Sequence, residues 1–537
     1  MRRNTGSYCA TVWLRPVVAL ALVVAGSTWS APVHAQAKPA DEAVDASGYR
    51  VLPPVARFLT DRVAEGKVKA HVKGVIDGKN LLTDNQTMFD AYFNRHYFPM
   101  MTQTDPKALE ELPQERYRFI RDYLENAKDA EVHEHVVDLA ISNLVPIVQG
   151  NFHPAVRYNA LIIIGSLNQT EAVRIGNARS TPEPHIRALP ILYTEFTRKE
   201  NSDLLKVAAL VGLVRHMEWD PFRATPIPPA TRNGVIKALQ DLALQQEPPE
   251  GRSLEGHNWM RRRAIEGLGH SGWVKGDPGV LDALNKVLTD ETEPVDVRVA
   301  AASAIGRSSY VAPAKMDTTT TAKELGQLAV VSCLSELDRV ANLKKEEEER
   351  QKLLKNQSSG GYGGSGYSES MMPGYGAMGD GGLLGGAAQQ DPKGYRLDPL
   401  RRKMRARLYG VQLGLVGPAD PNNTTRGAEK LAKTPAEKKA VADIRASLEK
   451  AITIIETPDQ MLADLDKDLR RALKPLDDLT RRPKPVAPAA DSPEDELGVP
   501  GIPPAPTAGA PAPGPGKAAA PAVRPTSAPA AAAAAGR

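Results

Sequence analysis

The chain has 537 residues, 68 basic against 64 acidic side chains and a formal net charge of +4. That near-balance excludes a dedicated polyanion binder built on an excess of one sign. Only 5% of residues are aromatic, while 43 glycines and 44 prolines exceed what one compact globule uses throughout, so part of the chain is expected to lie outside any packed core. With two cysteines, Cys9 and Cys333, a disulfide framework is excluded.

The first element is a leader. Arg2 and Arg3, an apolar run from Val17 to Ala25, and small residues ending in "AQA" follow the order of a secretory signal peptide over residues 1–37, with cleavage expected after Ala37 and Ala35 as the second choice. The run falls short of the roughly 20 apolar residues that cross a bilayer, so no transmembrane span is expected in the mature chain. The "NTG" after the arginine pair lacks the apolar residues of a twin-arginine signal, which favours the general secretory route. The expected location is therefore a periplasm or cell envelope, or the medium. Cleavage removes Cys9, and Cys333 in "LAVVSCLSEL" is read as a buried, inert thiol.

Residues 38–130 read as an N-terminal helical region. In "MFDAYFNRHYF", Phe89, Phe93, His96 and Tyr97 share one helical face, read as a packing stripe rather than a carbohydrate platform.

From residue 131 to 310 a pattern recurs: apolar, basic, two variable residues, alanine, a small or apolar residue, two variable residues, an aliphatic, then usually glycine. It appears as "VRYNALIIIG" from Val156, "LKVAALVGLV" from Leu205, "MRRRAIEGLG" from Met260 and "VRVAAASAIG" from Val297, with starts 49, 55 and 37 residues apart. In each copy the first aliphatic and the alanine four residues on lie on one helical face, and the alanine admits a close neighbour. Ahead of each copy runs a second amphipathic segment: "EVHEHVVDLAISNLVPIVQG", "PHIRALPILYTEFTRKE", "TRNGVIKALQDLALQQ" and "PGVLDALNKVLTD".

These residues resemble HEAT repeats, the helix-pair units of armadillo-like α-solenoids, with Arg157, Lys206, Arg261 and Arg298 in the basic position of the second helix. The second copy departs from the pattern with Val214 in place of glycine, and the third lacks an acidic or prolyl residue just before its helix. The resemblance implies an all-α fold, an α-solenoid of stacked pairs in which the basic residue serves the packing between repeats. It says little about function. A terminal repeat exposes an unpaired apolar face, so residues 38–130 are expected to cap the array.

Residues 321–416 read as an interrupted fifth repeat. Its long first helix is "TAKELGQLAVVSCLSELDRVANLKKEEEERQKLLKN", and its second carries Leu400, Met404, Leu408, Val411 and Leu415 as one stripe. Between them a glycine- and tyrosine-rich segment, 358–393, is expected to be disordered. Residues 434–480 read as a helical pair whose helices open at Thr434-Pro435 and Thr457-Pro458, with Glu437 and Gln460 completing the two caps. Val441, Ile444, Leu448, Ile452 and Ile455 form a stripe for docking on the array or on a partner. From 483 to 537 the chain has 14 prolines and no aromatic residue, and is expected to be an extended Pro/Ala-rich tail.

The chemistry is thin. In "HEH", His133 and His135 lie on different helical faces, unlike the zinc-binding H-E-x-x-H arrangement. HEAT-like di-iron deoxyhypusine hydroxylases use several His-Glu pairs, whereas this chain has only His133-Glu134. "DLDKDLRRALKP" from Asp464 starts like a calcium loop but has Leu469 and Pro475 where glycine and glutamate are required. No phosphate-binding loop, haem-attachment motif or nucleophile with a base is found. No enzyme activity, metal or cofactor is therefore expected.

Two basic clusters, Arg261 to Arg263 and Arg401 to Arg407, are candidates for gripping acidic peptide, sulfated glycan or phosphate. Structural or solvating roles are the favoured alternative. If a partner-binding patch exists, it is assigned to Arg261, Arg262, Arg263, Arg401, Arg402 and Arg405, and its expected partner is another protein rather than nucleic acid. The expected function is a non-catalytic scaffold binding a protein along the solenoid surface. The alternative is an envelope-structural or attachment protein acting through the Gly/Tyr-rich loop and Pro/Ala-rich tail.

Overall fold

The computed structural model describes residues 43–55, 62–176, 178–271, 278–308, 317–359, 398–419, 426–458 and 460–481. The leader with its cleavage site, all but the first two residues of the Gly/Tyr-rich segment, and the Pro/Ala-rich tail lie outside the described residues. The described chain is predominantly α-helical, and no helix in it is long and apolar enough to cross a membrane.

The N-terminal elements are a short antiparallel pair, β1 (Ala43–Val44) with β2 (Arg50–Val51), followed by α1 (Arg62–Ile76), α2 (Leu82–Tyr92) and α3 (Pro106–Arg118). Both α2 and α3 run on into π-helical turns, Phe93–Tyr97 and Phe119–Glu125. The extra residue in each turn swings aromatic rings together: Phe93 and Tyr123 have centroids 5.1 Å apart and edge-on planes, and the Tyr92 and Tyr123 hydroxyls are 2.9 Å apart. Phe89, Phe93, His96 and Tyr97 are all buried here, so the aromatic stripe is core.

Four helix pairs follow: α4 (Ala130–Gln149) with α5 (Pro154–Ser166), α6 (Ala188–Thr197) with α7 (Asp203–Trp219), α8 (Pro229–Leu244) with α9 (Leu254–His270), and α10 (Pro278–Thr289) with α11 (Val295–Arg307). Each pair packs internally, and the second helices α5, α7, α9 and α11 touch one another in chain order, with α3 lying against α5. Between α5 and α6 the chain forms two small hairpins that the helical periodicity does not announce. These are β3 (Asn168–Thr170) with β6 (Glu183–Pro184), and inside it β4 (Arg174–Ile175) with β5 (Ala178–Arg179).

The recurring basic residue holds each pair together. Helices end with unsatisfied carbonyls and a negative dipole end, both of which suit a cation. Arg157 Nε donates to the Val148 carbonyl at 2.8 Å, Arg261 Nε and Nη2 to the Ala243 carbonyl at 3.1 and 2.9 Å, and Arg298 Nε to the Leu288 carbonyl at 2.9 Å. In these three pairs the acceptor is the next-to-last residue of the first helix. Lys206 reaches the Lys199 carbonyl, just past the end of α6, at 3.4 Å.

The terminal glycine of the pattern sets the spacing between pairs. A Cβ on Gly165 would lie 3.1 Å from the Gly212 Cα, and one on Gly269 would lie 2.6 Å from the Ala304 Cα. On Gly306 a Cβ would run into the Leu413 carbonyl, on the helix Asp398–Val416. Where the second copy carries Val214 in place of glycine, the valine side chain fills the room left by Gly267 on α9, 3.2 Å from the position of a Cβ there.

The C-terminal part consists of α12 (Thr318–Ser359), α13 (Asp398–Val416), α14 (Pro435–Glu456) and α15 (Leu462–Thr480), which pack on one another, while α13 also lies against α11. Leu400, Met404, Leu408, Val411 and Leu415 are buried in this contact, as is the α14 stripe from Val441 to Ile455 against its neighbours. Cys333 on α12 is fully buried, and desolvation pushes its thiol up to about 12. The calcium-like segment is part of α15.

Thr434 and Glu437 form the expected capping box, with Thr434 Oγ1 accepting from the Glu437 amide at 3.2 Å. Thr457 does not open the next helix. It closes α14, its hydroxyl donating back to the Thr453 carbonyl at 2.9 Å, and α15 starts only at Leu462. A hydroxyl engaged in the preceding turn is pointed away from the following amides, which moves the start.

Candidate functional site: a basic groove across three helices

Two adjoining open depressions cross the exposed side of α9, α11 and α13. The first, about 300 Å³, is lined by Trp259, Arg262, Arg263 and Glu266 of α9 with Ala300, Ser303 and Arg307 of α11. The second, about 440 Å³, runs from Arg262 over Asp296, Val299 and Ala300 to Lys403, Ala406 and Arg407 of α13. Arg262 and Ala300 belong to both, so the two form one groove with five cationic side chains against two carboxylates.

The charges are partly matched. Arg263 pairs with Glu266 at 2.6 Å while its guanidinium carbon sits 5.4 Å from the centre of the Trp259 ring. The interaction with His270, whose Nε2 lies 3.8 Å away, together with the Arg263 hydrogen bond, outweighs burial and holds the Glu266 carboxyl at about 2. Arg407 is buried and reaches Asp296 at 2.7 Å and Glu336 of α12 at 3.0 Å, and Lys403 joins Glu336 at 2.7 Å. Burial pushes the Asp296 carboxyl up, but the Arg407 bond and the charges of Arg407, Lys403 and Arg262 prevail and keep it below the ordinary range. Arg307 contacts the His270 ring at 3.3 Å. Among the described residues, Arg262 has no carboxylate within salt-bridge distance.

Of the six arginines assigned to a partner patch, the groove brings together Arg262 and Arg263. Arg261 is withdrawn from it. It is 1% exposed, clamped to Glu293 by two bonds of 2.5 and 2.6 Å in addition to its Ala243 contacts, and it cannot meet a partner. Successive residues turn by about 100° around a helix, so the first member of the run faces the core while the next two turn toward solvent. Arg401 bridges to the Thr457 and Gln460 carbonyls at 2.6 and 3.2 Å, tying α13 to the α14–α15 turn. Arg402 bonds the Asp398 carbonyl of its own helix at 3.3 Å, and Arg405 is exposed but does not line the groove. Trp259 and Arg307 escaped the sequence reading, although their register positions, one before and ten after the first aliphatic of the pattern, carried the signal.

The groove presents guanidinium and ammonium donors and a ring for stacking. Its hydroxyl, Ser303, donates to the Val299 carbonyl of its own helix at 3.0 Å. Elsewhere, His133 and Glu134 part company: His133 faces Glu171 at 3.2 Å, and Glu134 faces His185 at 3.3 Å and Arg187 at 2.7 Å. Among the described residues no group of three or more histidine, cysteine or acidic side chains is placed to hold a metal ion. No protein-family model, curated protein or solved structure matches the chain.

Proposed function

We propose that this chain is an exported, non-catalytic α-solenoid of HEAT-like pairs that holds another protein along the face of its successive second helices. Export rests on the leader sequence. The solenoid reading rests on the repeated pattern, on the basic residue that closes each pair, and on the small-residue seams between neighbouring pairs. One observation carries the functional reading: a continuous groove crosses α9, α11 and α13, with cations in excess and Arg262 lacking a carboxylate within salt-bridge distance among the described residues. A surface assembled from several helices suits recognition of an extended macromolecule.

A photo-crosslinking residue at Ser303 tests this, with a second at Asp241, exposed on α8, as control. In the native host the Ser303 position is expected to give a protein adduct that the Asp241 position does not. Equal labelling at both, or adducts at neither, would refute the reading.

A further inference from the structure

The face that carries the groove continues onto α7, where its character changes. In the repeat register Trp259, Arg262 and Glu266 of α9 correspond to Leu204, Val207 and Val211 of α7. Leu204 and Val211 are 41% and 40% exposed, and α7 packs directly on α9. Residues seven apart lie within about 20° of each other around a helix. Single exposed aliphatics are ordinary, but these two share a face that runs into the groove. The surface is thus apolar on α7 and cationic from α9 to α13.

Resting on the reading of this face as a protein-binding surface, we propose that its occupant is an extended acidic peptide segment of another protein. Aliphatic or aromatic side chains at one end of the segment sit on Leu204 and Val211, and carboxylates toward the other end meet Arg262, Arg307 and Lys403. Charge complementarity selects the acid: even with Glu336, which pairs with Arg407 and Lys403, five cations face three carboxylates, and Arg262 has no carboxylate within salt-bridge distance among the described residues. The interleaved Glu266 and Asp296 select a peptide over a nucleic acid or sulfated glycan. Both stay ionised at neutral pH, and a uniform polyanion laid across them meets repulsion that a peptide with spaced carboxylates avoids. Packed helices lie about 8–10 Å apart, so crossing from α7 to α13 takes about 24–30 Å, or roughly seven to nine extended residues.

Panning a displayed library of random dodecapeptides against the full chain tests the proposal. The expected pool is enriched in sequences with two or more acidic residues flanked on one side by aliphatic or aromatic ones. For a synthetic peptide from that pool, Arg262→Glu with Arg307→Glu is expected to weaken binding by about tenfold or more, and to remove most of its salt dependence. Leu204→Ser with Val211→Ser is expected to weaken it by a similar factor at unchanged salt dependence. Circular dichroism establishes that both variants are folded. Three results overturn the proposal: a pool with no acidic enrichment, equal affinity for the charge-reversed variant, or heparin bound more tightly than the peptides. Adducts from Ser303 to a protein that lacks such a segment would end this proposal while leaving the scaffold reading intact, whereas absent adducts would end the scaffold reading itself.

Discussion

Replacing Arg261 tests the distinction between an arginine that builds the molecule and one that serves a partner. Its guanidinium is 1% exposed and Glu293 is 3% exposed, so Arg261→Met strands a buried carboxylate whose remaining neighbour is the Gln246 amide at 3.0 Å. Breaking a buried pair from one side costs about 3–5 kcal/mol, and the Ala243 carbonyl loses its donor for about 1 kcal/mol more. Roughly 370 residues are described, and at about 2.1 cal/mol/K each a loss of 4–6 kcal/mol lowers the melting temperature by about 5–8 °C if the chain unfolds as one unit. If the repeats unfold separately, the same loss appears as faster amide exchange at the end of α8 and in α9. Adding Glu293→Leu removes the stranded charge, so the double variant is expected to recover all but about 1–2 kcal/mol, a coupling of at least about 2 kcal/mol. Peptide binding in the groove is expected to be unchanged in the double variant. A single variant that melts within about 1 °C of the parent, or a double variant worse than both singles combined, would refute the reasoning.

Gly306→Ala is expected to destabilise the chain by about 1–2 kcal/mol in denaturant titration, although alanine gains about 1 kcal/mol in helix propensity, because the new methyl meets the Leu413 carbonyl; a stabilised variant would show that α11 and α13 do not approach so closely. Glu266 has a folded-state pKa of about 2, below the ordinary carboxyl value, so its stabilisation is present above about pH 4.3 and is lost as the pH falls toward 2. Parent and Glu266→Gln should differ in stability at pH 6 and converge by pH 2. His216 is fully buried, and desolvation first, then the charges of Arg223 and Arg215, hold its pKa well below 6.5. It stays neutral when folded and takes up a proton when unfolded, so stability falls below pH 6.5 by up to about 1.4 kcal/mol per pH unit. His216→Gln is expected to flatten the slope between pH 6.5 and 5, and an unchanged slope would contradict this assignment.

The helix pairs were legible because periodicity and burial are the same fact seen twice: the Leu400 to Leu415 stripe had to find a core, and α11 and α12 supply it. The basic residue of each repeat was visible as a position, but its target was not, because the carbonyl it caps lies 7 to 18 residues earlier and is set by how the turn folds. The hairpins at 168–184 left no trace in the helical pattern, being held by Glu171, Glu183 and His185 contacts to residues far away in sequence. Thr457 carried the right residue type at the wrong boundary, since the same hydroxyl can close one helix or open the next. The groove was half visible. Runs of arginine advertise charge, but only helical phase separates Arg261 from Arg262, and only tertiary stacking sets Arg307 and Lys403 beside them.

Three of the four pairs carry on the second helix the side chain that caps the end of the first, so that closure is made within the pair. Between neighbouring pairs, small residues meet backbone at Gly165 and Gly269. Connections between pairs can then differ in length without undoing that closure, as the intervals of 49, 55 and 37 residues between copies do.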